Sequence, residues 1–148
     1  MADVYGTNYN ALVNSQIEGS DQLDRVYHKG QVHFLYDTYE AAAAAIGTVI
    51  HLGPLPKGAV VLPGSRIVHD ALGASSTIKV GDNDSADEDD DRYAAAESTA
   101  AAGDIVLGQG GVIDNMPYKT SEECALVLTT AGAAITGTIK AFIAFTWG

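Results

Sequence analysis

From residue 31 to residue 40, apolar and polar side chains change places at nearly every step. Val32, Phe34 and Tyr36 fall on one side of the chain, and His33, Leu35, Asp37 and Tyr39 on the other. This two-residue repeat is that of a β-strand. Residues 136–146 carry the pattern further. Ile139, Ala141, Ile143, Phe145 and Trp147 share one face, while Thr138, Lys140, Phe142, Ala144 and Thr146 share the other. That length predicts a central strand. Shorter apolar runs at 48–52, 59–62, 66–70, 77–80, 105–107, 112–113 and 125–130 complete the predicted set.

Between these runs lie turn residues. Gly53-Pro54-Leu55-Pro56-Lys57-Gly58 predicts a turn, because its prolines remove ladder donors and its glycines permit positive φ. Pro63-Gly64, Gly73 and Gly81 stop the strands before them. The alanines at 41–45 allow one helical turn, but the run is too short for a stable helix and Gly47 follows at once. The small-residue stretch at 93–102 fits either a short helix or an interface strand. Eight to ten short strands at turn-rich intervals predict an all-β fold, a β-sandwich or jelly roll. A βαβ fold has no room for its helices, and no fixed-period repeat is present. Residues 1–28 are polar and aperiodic. They read as an N-terminal arm preceding a sandwich domain at 29–148, with Tyr5, Tyr9, Leu12, Val13 and Ile17 as its candidate interaction residues. The competing reading is a frayed terminus.

The 148 residues suit one domain plus an arm, and 16 glycines exceed the usual share of about 7%, in keeping with many turns. The net charge of -11 with no basic cluster argues against nucleic acid as a partner and against an anionic membrane surface. No run of about 18 apolar residues is present to span a bilayer. The start Met1-Ala2-Asp3-Val4-Tyr5 lacks the basic and apolar regions of a secretion signal. The expectation is a protein made in a host cytoplasm that leaves the cell, if at all, by assembly and lysis.

Residues 82–91 hold seven of the nineteen carboxylates, and such a run is expected to be a solvated loop. Asp82, Asp84 and Asp87 carry the hard oxygens that Ca²⁺ prefers, so an extracellular calcium-dependent binding module is one alternative. The EF-hand spacing fails, however, since Asp87 and Tyr93 stand where Gly and Glu are required. His28, His33, His51 and His69 form no HxxxH or HExxH motif, and His69 and Asp70 would point to opposite strand faces. There is no GxSxG, and Gly108-Gln109-Gly110-Gly111 matches no phosphate-loop spacing. Cys124 lies in the apolar run Cys124-Ala125-Leu126-Val127-Leu128 and reads as a buried core residue. These residues predict no catalytic site, no cofactor and no resident metal.

One run of residues does carry a resemblance. Thr48-Val49-Ile50-His51-Leu52-Gly53-Pro54-Leu55-Pro56-Lys57-Gly58-Ala59-Val60-Val61-Leu62 has the form strand, Leu-Pro-Lys-Gly, strand. It is followed by His69-Asp70-Ala71-Leu72-Gly73, Asp91-Arg92-Tyr93 and a closing stretch from Leu126 to Lys140. Together, over about residues 31–146, these segments resemble small tailed-phage virion proteins encoded near the major capsid protein. The resemblance implies a β-sandwich that decorates and cements the outer surface of the capsid. The implied partners are the major capsid protein and further copies of the chain itself, a trimer being preferred because shells offer threefold positions. A tail or head-to-tail structural protein is the alternative within that group. The acidic run departs from the shorter loop that the resemblance implies, and no catalytic residue is carried over.

Overall fold

The structure, a computed structural model, describes residues 31–147; residues 1–30 and Gly148 lie outside the described set. The arm, with Tyr5, Tyr9, Leu12, Val13 and Ile17, is therefore outside the described residues.

The two alternating stretches form the two longest strands, β1 (Gln31–Ala44) and β9 (Ile135–Trp147). Between them come β2 (Val49–Leu55), β3 (Val60–Val61), β4 (Arg66–His69), β5 (Thr77–Asp82), β6 (Asp89–Ser98), β7 (Gly103–Val106) and β8 (Cys124–Ala131). A 3-10 helix, Gly110–Asn115, follows β7. Setting β3 aside, the pairing is nested: β1 with β9, β2 with β8, β4 with β7 and β5 with β6, all antiparallel. The chain behaves as one long hairpin, tipped by β5–β6, whose successive pairs alternate between two sheets. That is the jelly-roll form of the β-sandwich. The first sheet runs β1-β9-β4-β7, with β3 added beside β9, and the second runs β2-β8-β5-β6.

Between the sheets the inward side chains make one core, in which Leu55, Ile67, Ile78, Leu126, Leu128 and Ile143 are fully buried. As expected, the 136–146 stretch is central, with β1 on one side of β9 and β3 and β4 in succession on the other. In β1 it is Leu35 and Tyr39 that pack on the core, while Val32, Phe34 and Tyr36 face out.

Four local expectations change. Residues 41–44 continue β1 instead of starting a helical turn, and Gly47 at φ 81° makes the reversal. Gly53 to Leu55 stay in β2 through a bulge, and Pro54 is tolerated because β2 is an edge strand. Val112 and Ile113 lie in the 3-10 helix, not in a strand. Residues 89–98 form β6, so the end of the acidic run is strand instead of loop, and of the two alternatives for the alanine-rich stretch most of it takes the strand.

β6 pairs with β5, and at Gly81 the two backbones approach closely. A Cβ there would sit 2.0 Å from the Asp89 carbonyl oxygen and 2.6 Å from Asp90 Cα. Only glycine lets the two backbones run this near. Gly81→Ala is therefore expected to cost about 2 kcal/mol or more through overpacking against backbone. Thermal unfolding should register this as a fall of roughly 5–10 °C; an unchanged melting temperature would show that the hairpin gives way freely.

Candidate functional site

The acidic run does not behave as a uniformly solvated loop. Asp82 and Asp84 are fully buried, and each carboxylate is occupied by donors from the protein. Asp82 accepts from Arg92 Nε at 2.8 Å, from the Tyr93 hydroxyl at 2.8 Å and from the Asp84 N–H at 3.2 Å. Asp84 accepts from the Tyr118 hydroxyl at 2.8 Å, from Ser121 N–H at 2.7 Å and Oγ at 2.8 Å, and from Ala86 N–H at 3.2 Å. Arg92 is itself buried. Its guanidinium lies 3.5 Å from the Tyr118 ring centroid, and its Nη2 donates to the Asp87 carbonyl.

The burial is possible because the charge is compensated locally. An isolated buried carboxylate is too costly to remain ionised, whereas a paired and fully hydrogen-bonded one persists. Burial pushes the Asp82 carboxyl up, against the opposing pull of Tyr93 and Arg92. For Asp84, burial also acts upward, but the donors from Ser121, Tyr118 and Ala86 outweigh it and hold the group at about 2. The Tyr118 hydroxyl is pushed up to about 12 by burial and by its bond to Asp84.

This geometry takes away the calcium ligands suggested by the sequence. Asp82 and Asp84 are turned to separate donor sets, and the exposed Asp87 carboxylate lies 3.5 Å from Arg92. Asp89, Asp90 and Asp91 do bring carboxylates close together, but Asp90 is tied to Lys79 at 2.6 Å. The three form an acidic patch at one edge of the second sheet.

Neither His69, His33 nor Cys124 is set as a catalytic base or nucleophile. His69 is buried, and its Nδ1 lies 2.8 Å from the Asp70 backbone carbonyl, not from a carboxylate. His33 stacks on Phe145 with centroids 5.5 Å apart. Cys124 is buried as expected, and burial pushes its thiol up to about 12, so it carries almost no thiolate at neutral pH.

A different kind of surface stands on the outer face of the first sheet. Val32, Phe34 and Tyr36 on β1, Phe142 on β9 and Val68 on β4 are all exposed. Tyr36 and Phe142 are directly opposite one another, with ring centroids 5.2 Å apart. Around them lie Glu40, bonded to Thr138 Oγ1 at 2.6 Å, the Arg66–Asp104 ion pair at 2.7 Å, and Lys140. The charges of these four side chains cancel, in a chain whose net charge is -11. The acidic strand β6 is at the far edge of the other sheet, next to β7, while β1 lies over β2.

No protein-family model matches the chain, and no curated protein matches it in sequence. Its fold is nevertheless that of chains found in phage capsids. A chain in the capsid of Ralstonia phage GP4 superposes with a TM-score of 0.63 at 22% identity, covering 80% of this chain and 86% of that one. A chain of the cyanophage Pam1 capsid asymmetric unit gives 0.61 at 19% identity, covering 88% and 96%. A chain in the acid-stable capsid of Helicobacter pylori bacteriophage KHP30 gives 0.52 at 12%, covering 78% and 87%. At these identities it is the jelly-roll sandwich that is shared.

The buried network makes a prediction with a definite sign. Asp84 titrates near 2 when folded and near 3.9 when unfolded, so the unfolded chain binds more protons between those values. Its contribution, about 2 kcal/mol, is present above pH 4 and lost as the pH falls towards 2. Asp82, shifted upward, acts in the opposite sense at higher pH. Asp84→Asn should flatten the fall in stability between pH 4 and 2 in urea titrations. Arg92→Met, which leaves Asp82 buried without its counter-ion, should cost about 3–5 kcal/mol at pH 7. If Arg92→Met unfolds at the wild-type urea concentration, the pair is not what secures the tip.

Proposed function

We propose that the chain is a structural protein of a phage head, and that it acts as a decoration, or cement, protein on the outer surface of the assembled capsid. The observation that carries this reading is the fold shared with three capsid chains over 78–88% of this chain and 86–96% of theirs. Coverage that complete means the likeness is to whole chains, not to a sandwich embedded in a larger one. The net charge of -11 agrees with a protein held away from the nucleic acid inside a head.

The mechanism is mass action. A protein that binds the closed lattice but not the loose subunit lowers the free energy of the lattice alone. The shell gains RT ln(1 + [L]/Kd) per site, about 2.7 kcal/mol at a hundredfold excess over Kd. Residues 1–28 serve in this reading as the attachment arm, with Tyr5, Tyr9, Leu12, Val13 and Ile17 as apolar anchors on the major capsid protein. The chain works there in several copies, a trimer at threefold positions being preferred.

The direct test is to mix the purified chain with heads that lack it, sediment them through a density gradient and image the particles. Density spread regularly over the head surface, with heads more resistant to heat, is the expected outcome. Density confined to the tail or the head–tail junction would transfer the chain to that role, and absence from particles would remove the virion reading. Deleting residues 1–28 should weaken co-sedimentation at least tenfold while leaving the melting temperature of the sandwich within a few degrees. Undiminished incorporation of the truncated chain would remove the arm from the mechanism.

A further inference from the structure

We propose that the outer face of the first sheet, centred on Phe34, Tyr36 and Phe142, is the surface by which one copy of the chain binds another. The inference rests on the reading above only in taking the chain to work in several copies. Phe34 is 82% exposed, Tyr36 59% and Phe142 49%, side by side on one sheet face; Ile46, Val49 and Trp147 are also exposed, but off this face. With Val32 and Val68 these side chains leave on the order of 500 Å² of contiguous apolar surface open, taking aromatic side chains at about 200 Å² each. That is at the upper end of what monomers expose, about 300–600 Å². A standard interface buries about 800 Å² per partner. The apolar centre supplies more than half of that, and the polar border of Thr38, Glu40, Lys140 and the Arg66–Asp104 pair is placed to supply the rest. An aromatic centre with a hydrogen-bonding rim is the usual anatomy of an interface.

Charge decides in favour of a second copy. Two chains of net charge -11 repel one another unless they meet where that charge is absent. On this face Glu40 and Asp104 are balanced by Lys140 and Arg66, and the exposed carboxylates of β6 lie at the opposite edge of the other sheet. The surface is also preformed. It rests on the β1–β9 ladder, continuous from Gln31 paired with Trp147 to Ala41 paired with Gly137, so little ordering is lost on association. The inward carboxylate of Asp37, which accepts from Gly53 N–H at 3.0 Å, is a charged feature of the kind that protects edge strands. It favours contact through the face of β1 over open-ended pairing along its edge.

The test is sedimentation velocity on the full chain, without shells, over 1–100 µM. Wild type is expected to form one discrete oligomer. Phe34→Asp and Phe142→Arg should each weaken association at least tenfold with unchanged circular dichroism and melting temperature. Val49→Asp, at a comparably exposed apolar residue on β2 in the second sheet, should leave the oligomer intact. A monomeric wild type overturns the proposal, as does an oligomer indifferent to Phe34→Asp. A wild-type monomer that associates only when residues 1–30 are deleted would give the face to the arm. A monomer that binds heads and loses them on Phe34→Asp would give it to the shell. A discrete oligomer that ignores heads would leave this inference standing and remove the decoration role.

Discussion

The hydrogen bonding of β9 to three other strands is the constraint on which the first sheet depends. β1 pairs with it on one side and β3 and β4 on the other, while Ile139, Ala141 and Ile143 fill the core beneath. The pairing with β1 joins the ends of the described chain, and Trp147 Nε1 adds a bond to the Lys57 carbonyl at 3.1 Å. Closing so long a loop in one step is unfavourable, but the cost grows only with the logarithm of loop length. Nesting softens it further. Once the β5–β6 tip is formed, each outer pair closes a loop whose ends have already been drawn together.

The tip carries the chain's hardest electrostatic problem. Seven carboxylates fall within ten residues, and two of them are fully buried. Arg92, the hydroxyls of Tyr93, Tyr118 and Ser121, and the backbone N–H groups of Asp84, Ala86 and Ser121 make this tolerable by giving each buried oxygen a donor. The network also fixes which residues of the tip face inward, because a slip of one position would expose Arg92 and leave Asp82 unpaired. Buried polar groups here specify the register; the packing of leucines and isoleucines elsewhere supplies most of the stability.

This division explains how much was legible in the sequence. Strands β1 and β9 were readable because one face of each meets the core and the other does not, so burial writes itself as alternation. The sandwich class followed from the number and spacing of such runs. The face of β1 that meets solvent was not readable, since Phe34 and Tyr36 are as apolar as Leu35 and Tyr39 opposite them. The start of β6 was read as loop and its alanine-rich part left open between helix and strand, because Asp89-Asp90-Asp91 and Ala94-Ala95-Ala96 have low strand propensity. Its conformation comes from the approach at Gly81 and from Arg92, both tertiary effects. Burial of Asp82 and Asp84 was hidden for a related reason, as Tyr118 and Ser121 lie 34 and 37 residues beyond Asp84. The one local signal was Arg92-Tyr93 standing immediately after the acidic run. The candidate arm lies outside the described residues, and the exposed sheet face became visible only once the strands were assembled.

The nested pairing also sets a timetable for synthesis. Strand β1 is made before any of its sheet partners, and β9, which completes its ladder, is made last of the strands. At roughly 5–20 residues per second, the interval from Ala44 to Ile135 is on the order of 5–20 s. Throughout that wait β1 is an unpaired strand bearing Phe34 and Tyr36 on one side and Leu35 and Tyr39 on the other. Neighbouring nascent chains on one message would present the same strand at the same moment. Success in making this protein in quantity therefore turns on the interval before the final strand arrives, when charge repulsion between acidic chains is the main restraint on premature pairing.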